Sequence, residues 1–165
     1  MKIAVLGAGA WGTAMAVHCA GHAEVSLWTR HPEHAERMRR EVCNTQYLPG
    51  IDLGDVRVDA DLAGIAGPAD LWIIATPTAG LRGTLHSLRQ AGLERPFVWL
   101  CKGFESGSGK LPHQVVEEAW AGNSPYGVLS GPSFALEVAR NQPTAVTLAS
   151  RDADFARSTA QALHN

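Results

Sequence analysis

Three glycines near the start of the chain have the spacing of a phosphate-binding turn. Gly7, Gly9 and Gly12 form the pattern G-x-G-x-x-G between the apolar run 2–6 and a stretch of small residues, 11–20. Gly7 would permit the tight turn, Gly9 would let the backbone approach a pyrophosphate, and Gly12 would let a helix pack closely on the strand. Between a strand and a helix, the pattern predicts a dinucleotide whose pyrophosphate lies at the helix N-terminus. The alternative is a glycine-rich turn without a ligand.

A basic side chain follows the second apolar run, where the choice between two cofactors is made. The run 24–28 is followed by Thr29, Arg30 and His31. An acidic residue at this point hydrogen-bonds the adenosine ribose and favours NAD, whereas an arginine can pair with the 2′-phosphate of NADP. We therefore expect NADP to be accepted, along with NAD. The alternative is a solvated arginine that stacks on adenine.

Polar residues also follow three later apolar runs. Thr76-Pro77-Thr78 follows the run 71–75, Lys102 follows 97–101, and Ser133 comes shortly after 127–130. Open α/β sheets bind ligands outside the carboxyl ends of their strands, so these residues are expected along one edge, near the nicotinamide half of the cofactor. One lysine and one hydroxyl there suit an anionic, hydroxyl-bearing substrate. The alternative for Lys102 is a surface lysine in a turn.

The elements that must position these residues alternate along the chain. Strands are predicted at 2–6, 24–28, 56–58, 71–75, 97–101, 127–130 and 145–149. Helices are predicted at 11–20, 32–40, 61–66, 79–90, 111–120, 133–140 and 152–163, and residues 43–55 are predicted to form turns only. Strands that are apolar on both faces and separated by helices predict an α/β fold, a doubly wound, Rossmann-like, mostly parallel sheet with helices on both faces.

Length and composition exclude several classes of protein. The 165 residues suit one domain, and the formal charge of −2 gives no sign of nucleic-acid or membrane-surface binding. Glycines break the apolar start, which argues against a signal peptide, and no run approaches the ~20 apolar residues of a membrane span. The odd number of cysteines favours a reducing compartment, so we expect a cytoplasmic protein. The seven histidines lack partners at metal-ligand spacing and are expected on solvated helix faces.

Five segments together carry a resemblance to a known family. The chain resembles the N-terminal domain of the bacterial, soluble, NAD(P)-dependent glycerol-3-phosphate dehydrogenases over its whole length. The segments are GAGAWGTA at 7–14, LWTR at 27–30, NTQYLPG at 44–50, KGFE at 102–105 and SGPSFA at 130–135. The last two, at this separation, are the most specific. The reaction implied is reversible hydride transfer between sn-glycerol 3-phosphate and the nicotinamide, giving dihydroxyacetone phosphate, as used in phospholipid synthesis.

The resemblance implies site residues only where this sequence matches the family. Together with the glycine turn, the implied cofactor contacts are Gly7, Gly9, Ala10, Trp11, Gly12, Arg30, His31, Lys102 and Ala135. The implied substrate contacts are Lys102, Gly131 and Ser133. Relatives often have serine at the place of Ala10, so a hydroxyl contact to phosphate is lost and the backbone N–H remains. The partners expected are NADP or NAD and the small phosphorylated substrate, with a homodimer as a further possibility.

The resemblance places the general base outside these residues. In the family a second lysine, carried by an all-helical C-terminal domain, is the base, and no segment of this chain matches that domain. Of the other lysines, Lys2 and Lys110 lie outside the expected site. Residues 1–165 are thus expected to form the dinucleotide-binding domain, to bind cofactor and not to turn over. Two alternatives stay open: a stand-alone nucleotide sensor, and a dehydrogenase of another hydroxy acid or a sugar nucleotide.

Overall fold

The computed structural model describes residues 1–164, which form nine strands and seven helices. The strands are β1 (Lys2–Leu6), β2 (Glu24–Trp28), β3 (Cys43–Asn44), β4 (Leu48–Asp52), β5 (Arg57–Asp59), β6 (Leu71–Ile74), β7 (Phe97–Trp99), β8 (Tyr126–Ser130) and β9 (Thr147–Ser150). The helices are α1 (Ala10–Ala20), α2 (Pro32–Glu41), α3 (Leu62–Ala66), α4 (Thr78–Gln90), α5 (Pro112–Ala119), α6 (Ala135–Ala139) and α7 (Ala153–Leu163).

Seven of the strands form one sheet in the order β5-β2-β1-β6-β7-β8-β9. All pairs are parallel except β8 with β9, which are antiparallel. The first six strands have the order of the doubly wound dinucleotide-binding sheet, in which the chain runs outward from β1 on one side and from β6 on the other. The doubly wound, mostly parallel sheet predicted from the sequence is confirmed, with β9 as an antiparallel edge.

Two apolar clusters cover the two faces of this sheet. Successive residues of β1 alternate between them: Ile3 and Val5 face one cluster, and Ala4 and Leu6 face the other. The first cluster includes apolar side chains from α1, α2, α6 and α7, and the second includes side chains from α3, α4 and α5. Burial on both faces explains why the strands are apolar throughout rather than alternating.

The segment 43–55 differs from the prediction of turns alone. It forms a two-stranded antiparallel sheet from β3 and β4, with a register shift between Cys43 and Asn44. Short strands with Pro49 and Gly50 in the second one carry little strand signal in the sequence. The side chain of Asn44 is fully buried, and its bonds to other elements tie this hairpin to the rest of the chain.

Candidate functional site

The glycine turn between β1 and α1 is built by two close approaches of backbone. Gly7 has a φ of +123°, and a Cβ atom there would lie 2.7 Å from the carbonyl carbon of Ala75. A Cβ atom on Gly12 would lie 1.7 Å from the carbonyl oxygen of Gly7. Side chains at either position would push α1 or the end of β6 away from the turn, so both glycines shape the turn itself.

Gly9 has the opposite surroundings. It caps the N-terminus of α1 with φ −76° and ψ −176°, and a Cβ atom there would meet no atom of residues 1–164 within 4 Å. No acidic residue occupies the first turn of α1, so the N–H groups that begin with Ala10 face this space without a carboxylate. Trp11 is half-buried and packs on the apolar cluster beneath. A bare backbone, free N–H groups and open space fit a pyrophosphate.

A buried chain of hydrogen bonds holds the turn to the neighbouring elements. The Asn44 amide nitrogen donates to the Ala8 carbonyl oxygen at 2.9 Å and to the Thr13 hydroxyl at 2.7 Å. The Asn44 amide oxygen lies 3.1 Å from Nε2 of His34, whose Nδ1 lies 3.4 Å from the Thr29 hydroxyl. These hydrogen bonds therefore connect the glycine turn to Thr29, the residue that follows β2.

The donors in this network show which ring nitrogen of His34 carries a proton toward Asn44. Because the Asn44 amide nitrogen donates, the amide oxygen must accept, and so Nε2 of His34 carries the proton. In the neutral imidazole, Nδ1 is then the acceptor that faces the Thr29 hydroxyl. The expectation that the histidines lie on solvated faces is therefore wrong for His34, which is buried at the α2 side of the hairpin. The prediction failed because the i, i+3 spacing of His31 and His34 does not show which side of α2 faces the hairpin.

Arg30 and His31 lie at the carboxyl end of β2, directly beside the glycine turn. The backbone N–H of Gly7 donates to the carbonyl oxygen of Trp28 at 2.9 Å, which joins the two segments. Both side chains are exposed, and Nε of Arg30 donates to Nε2 of His31 at 3.0 Å. A guanidinium held at this position by its Nε can direct its other nitrogens toward an anion next to the turn.

Three of the predicted site residues meet at the ends of β7 and β8. Nζ of Lys102 donates to the carbonyl oxygen of Gly131 at 3.0 Å. The backbone N–H of Ser133 donates to the same oxygen at 3.1 Å, while the Ser133 hydroxyl is buried and has no partner among residues 1–164. Ala135 begins α6 and packs on the apolar cluster that also receives Trp11. The site thus combines one cation with one unpaired hydroxyl.

An ion-pair cluster fixes the loop that carries Lys102. Arg82 of α4 donates to both carboxylate oxygens of Glu105 at 2.9 Å, and Ser108 donates to one of them at 2.6 Å. These bonds, from Arg82 first, lower the pKa of Glu105 to about 2. Glu118 of α5 also accepts from Arg82, and the Thr78 hydroxyl donates to the Lys102 carbonyl oxygen at 2.7 Å. The loop is therefore anchored to α4, whose Arg82 is itself held by Glu118 of α5.

The sequence alone did not identify these supporting residues. Glu105 was noted only as part of the motif at 102–105, and Arg82 carried no signal, because 23 residues separate the two partners. Among residues 1–164, no group of three or more histidine, cysteine or acidic side chains is placed to hold a metal ion. Within the same residues, no helix is long and apolar enough to cross a membrane.

Comparison with known proteins agrees with this geometry. Residues 2–156 match the family described as NAD-dependent glycerol-3-phosphate dehydrogenase N-terminus. The glycerol-3-phosphate dehydrogenases [NAD(P)+] of Nitrosospira multiformis and Dechloromonas aromatica are 50% and 48% identical to this chain in sequence, and each alignment covers 99% of it. The crystal structure of glycerol-3-phosphate dehydrogenase from Coxiella burnetii is 34% identical, with a TM-score of 0.90 over 99% of this chain and 51% of that one.

The two curated relatives extend well beyond the matched region. The chain spans about half of their length, 51% and 50% respectively. The match nevertheless covers nearly all of the present sequence, including every segment at the carboxyl edge of the sheet. The chain belongs to the NAD-dependent glycerol-3-phosphate dehydrogenase family, of which it contains the N-terminal, dinucleotide-binding part.

Proposed function

We propose that this chain is the cofactor-binding half of a glycerol-3-phosphate dehydrogenase. The reaction is reversible hydride transfer between NADPH or NADH and dihydroxyacetone phosphate, which yields sn-glycerol 3-phosphate for phospholipid synthesis. The observation that carries this proposal is the Lys102 ammonium group, 3.0 Å from the Gly131 carbonyl oxygen and beside the buried, unpaired hydroxyl of Ser133. A nucleotide sensor would have no use for a cation and a free hydroxyl at that edge.

The cofactor would lie along the carboxyl edge of the sheet. Gly9 and the N–H groups of Ala10, Trp11 and Gly12 would hold its pyrophosphate in the turn that Gly7 opens. Arg30 and His31 would line the adenosine end, and Lys102 and Ala135 the other end. When bound, the nicotinamide ring supplies or accepts the hydride. We propose that NADP is taken through the Arg30 guanidinium and that NAD is accepted as well.

The substrate would be held by charge and hydrogen bonds beyond β7 and β8. The Lys102 ammonium attracts the phosphate of the substrate or stabilises the oxygen that gains charge as hydride is added. The Ser133 hydroxyl and the backbone at Gly131 complete the contacts. Gly131 is confined, because a Cβ atom there would lie 2.6 Å from the Ala145 carbonyl oxygen. A side chain at 131 would therefore displace the loop that carries Ser133.

The remaining lysines of the chain are engaged elsewhere. Lys2 pairs with Glu24 at the amino ends of β1 and β2, and Lys110 pairs with Glu118 of α5. Neither is available as a general base at the carboxyl edge. We propose that residues 1–165 are the dinucleotide-binding domain and that the half of the relatives beyond the match, a helical domain, supplies a lysine as base. The chain alone would then bind cofactor without turnover.

Partners and cellular location follow from the same proposal. The small phosphorylated substrate is the partner at the site. We propose a cytoplasmic location, supported by three free cysteines, of which Cys19 is buried and has its pKa raised to about 12 by that burial. Burial keeps such a thiol protonated and unreactive. The homodimer stays a prediction, which sedimentation of the chain in solution tests.

Two measurements test the proposed function. The melting temperature of the 165-residue chain should rise with NADPH and NADH, because a ligand that binds only the folded state stabilises it. The chain alone should not oxidise NADPH with dihydroxyacetone phosphate. A hybrid that joins this chain to the second half of the Nitrosospira multiformis relative should do so. No rise with either nucleotide, or turnover by the chain alone, would contradict the proposal.

A further inference from the structure

Three buried side-chain polar atoms lack a hydrogen-bond partner among residues 1–164. They are the Thr76 hydroxyl, the Trp120 ring nitrogen and the Ser133 hydroxyl. Ser133 already belongs to the proposed substrate site. Trp120 lies in the apolar cluster with Trp72 and Phe97, far from the strand ends that form the site. Thr76 remains, a residue that the sequence places at the carboxyl edge near the nicotinamide half of the cofactor.

Thr76 is unlike the other buried threonines for which partners are known. Thr13 accepts from Asn44, and the Thr78 and Thr84 hydroxyls donate to carbonyl oxygens at 2.7 and 3.0 Å. The residue at Thr76 is 9% exposed, and its hydroxyl makes no such bond. Helix capping does not explain it either, because Pro77 is the N-cap of α4 and no side chain caps that helix. A buried hydroxyl without a partner costs free energy unless a ligand satisfies it.

The location of Thr76 indicates which ligand that would be. Its backbone nitrogen would lie 2.8 Å from a Cβ atom on Gly7, so it adjoins the glycine turn. It follows β6, which lies between β1 and β7 in the sheet. Neighbouring strands are ~4.8 Å apart, so Thr76 stands one strand from the pyrophosphate turn and one strand from Lys102. The part of a dinucleotide that spans this interval is the ribose that joins the pyrophosphate to the nicotinamide.

We propose that the Thr76 hydroxyl hydrogen-bonds the nicotinamide-side ribose of the bound cofactor. A ribose hydroxyl both donates and accepts, so it matches a threonine hydroxyl of either orientation. The bond would orient the ribose, and with it the nicotinamide ring, toward Lys102 and Ser133. This inference rests on the proposed function, because it needs a dinucleotide in the glycine turn.

The test compares two nucleotides on Thr76→Val, which keeps the shape and removes the hydroxyl. Isothermal titration of the 165-residue chain with NADPH should show affinity weakened about fivefold to tenfold, the value of one net hydrogen bond. Adenosine 2′,5′-bisphosphate lacks the second phosphate and the nicotinamide-side ribose, and its affinity should be unchanged. Thr76→Ser should bind NADPH like the unsubstituted chain. Thr84→Val, whose lost hydroxyl bonds Gly80 within α4, is the matched control and should also bind normally.

A stability measurement separates this role from a structural one. Without ligand, Thr76→Val should melt no lower than the unsubstituted chain, because the lost hydroxyl has no partner among the residues that the structure describes. Equal NADPH affinity in Thr76→Val and the unsubstituted chain would overturn the inference. So would an equal loss of affinity for both nucleotides, or a lower melting temperature without ligand. Failure of the unsubstituted chain to bind NADPH would instead contradict the proposed function itself.

Discussion

The ammonium nitrogen of Lys102 lies 3.0 Å from the carbonyl oxygen of Gly131, and this bond joins the ends of β7 and β8. The two residues are 29 positions apart in the sequence and meet because β7 and β8 are adjacent and parallel. The bond holds a cation at the carboxyl edge, where the same carbonyl oxygen also accepts from the Ser133 N–H. A phosphorylated substrate would meet charge and hydroxyl in one place.

Replacement of Lys102 should therefore impair chemistry more than folding. In the hybrid with the second half of the Nitrosospira multiformis relative, Lys102→Met should lower kcat/KM for dihydroxyacetone phosphate about 10²–10³-fold, the usual effect of removing one charge-stabilising donor. Steady-state oxidation of NADPH measures this. Lys2→Met, which removes an exposed lysine paired with Glu24, is the control and should keep full activity. Full activity of Lys102→Met would show that Lys102 does not contribute to the reaction.

Arg30 should discriminate between the two cofactors. If its guanidinium pairs with the 2′-phosphate, Arg30→Ala should weaken NADPH binding about 10–100-fold and leave NADH binding unchanged, since only NADPH carries that group. Titration calorimetry of the chain with each nucleotide measures both affinities. Arg40→Ala, at the far end of α2 and paired with Glu41, is the control. Equal losses for NADPH and NADH would show that Arg30 contacts only the shared adenosine part.

Glu105 should make the stability of the folded chain depend on pH in the acidic range. Its pKa is lowered to about 2 in the folded protein, from an ordinary value of 4.5, chiefly by the bonds from Arg82. A carboxyl with a lowered pKa contributes stability that is fully present above its unfolded pKa and is lost as pH falls toward its folded pKa. The contribution from Glu105 should therefore disappear between pH 4.5 and about 2.

Glu105→Gln tests this dependence. The free energy of unfolding of this variant, measured in urea at several pH values, should fall less steeply over that interval than in the unsubstituted chain. The midpoint of the Glu105 carboxyl titration, followed by carbon NMR, should lie near 2. Arg82→Ala should move that midpoint upward, because the largest cause of the shift is removed. A midpoint near the ordinary value in the unsubstituted chain would contradict the ion pair.

Asn44 should support both the fold and the cofactor turn. Asn44→Ala removes the donors to Ala8 and Thr13 and leaves Nε2 of His34 without its partner. We expect a loss of about 2–4 kcal/mol in the free energy of unfolding, because several buried polar groups become unpaired. NADPH binding should weaken as well, since the Ala8 carbonyl lies within the glycine turn. The exposed Asn123→Ala is the control, and equal stability of the two variants would contradict this role.

The sequence allowed the sheet and most of the candidate site to be predicted. Apolar strands that alternate with helices are compatible with only a few topologies. In these topologies, parallel strands bring residues such as Arg30, Lys102 and Ser133 to one edge of the sheet. The same logic marked Thr76 without showing that its hydroxyl is unpaired. That fact depends on the orientation of one side chain against α4, which no pattern of residue types contains.

The rest could not be predicted because it depends on contacts between distant elements. The pair of Arg82 and Glu105 joins α4 to the loop after β7, and the burial of His34 requires the β3–β4 hairpin to cover α2. Single charged or polar residues of this kind look the same in a sequence whether they are exposed or paired. Their identification needs the positions of the helices on the sheet, which sequence periodicity leaves open.

The most direct test of the central claim is NADPH binding to Gly9→Val. A Cβ atom at Gly9 would meet no atom of the described residues 1–164 within 4 Å, and the φ of −76° suits any residue, so the fold should be kept. Gly83→Val is the control, because a Cβ atom there also meets nothing within 4 Å in the described part of the chain. We predict that Gly9→Val melts like the unsubstituted chain without ligand and loses NADPH binding, because the valine occupies the place of the pyrophosphate. Binding as tight as that of the unsubstituted chain would contradict the account.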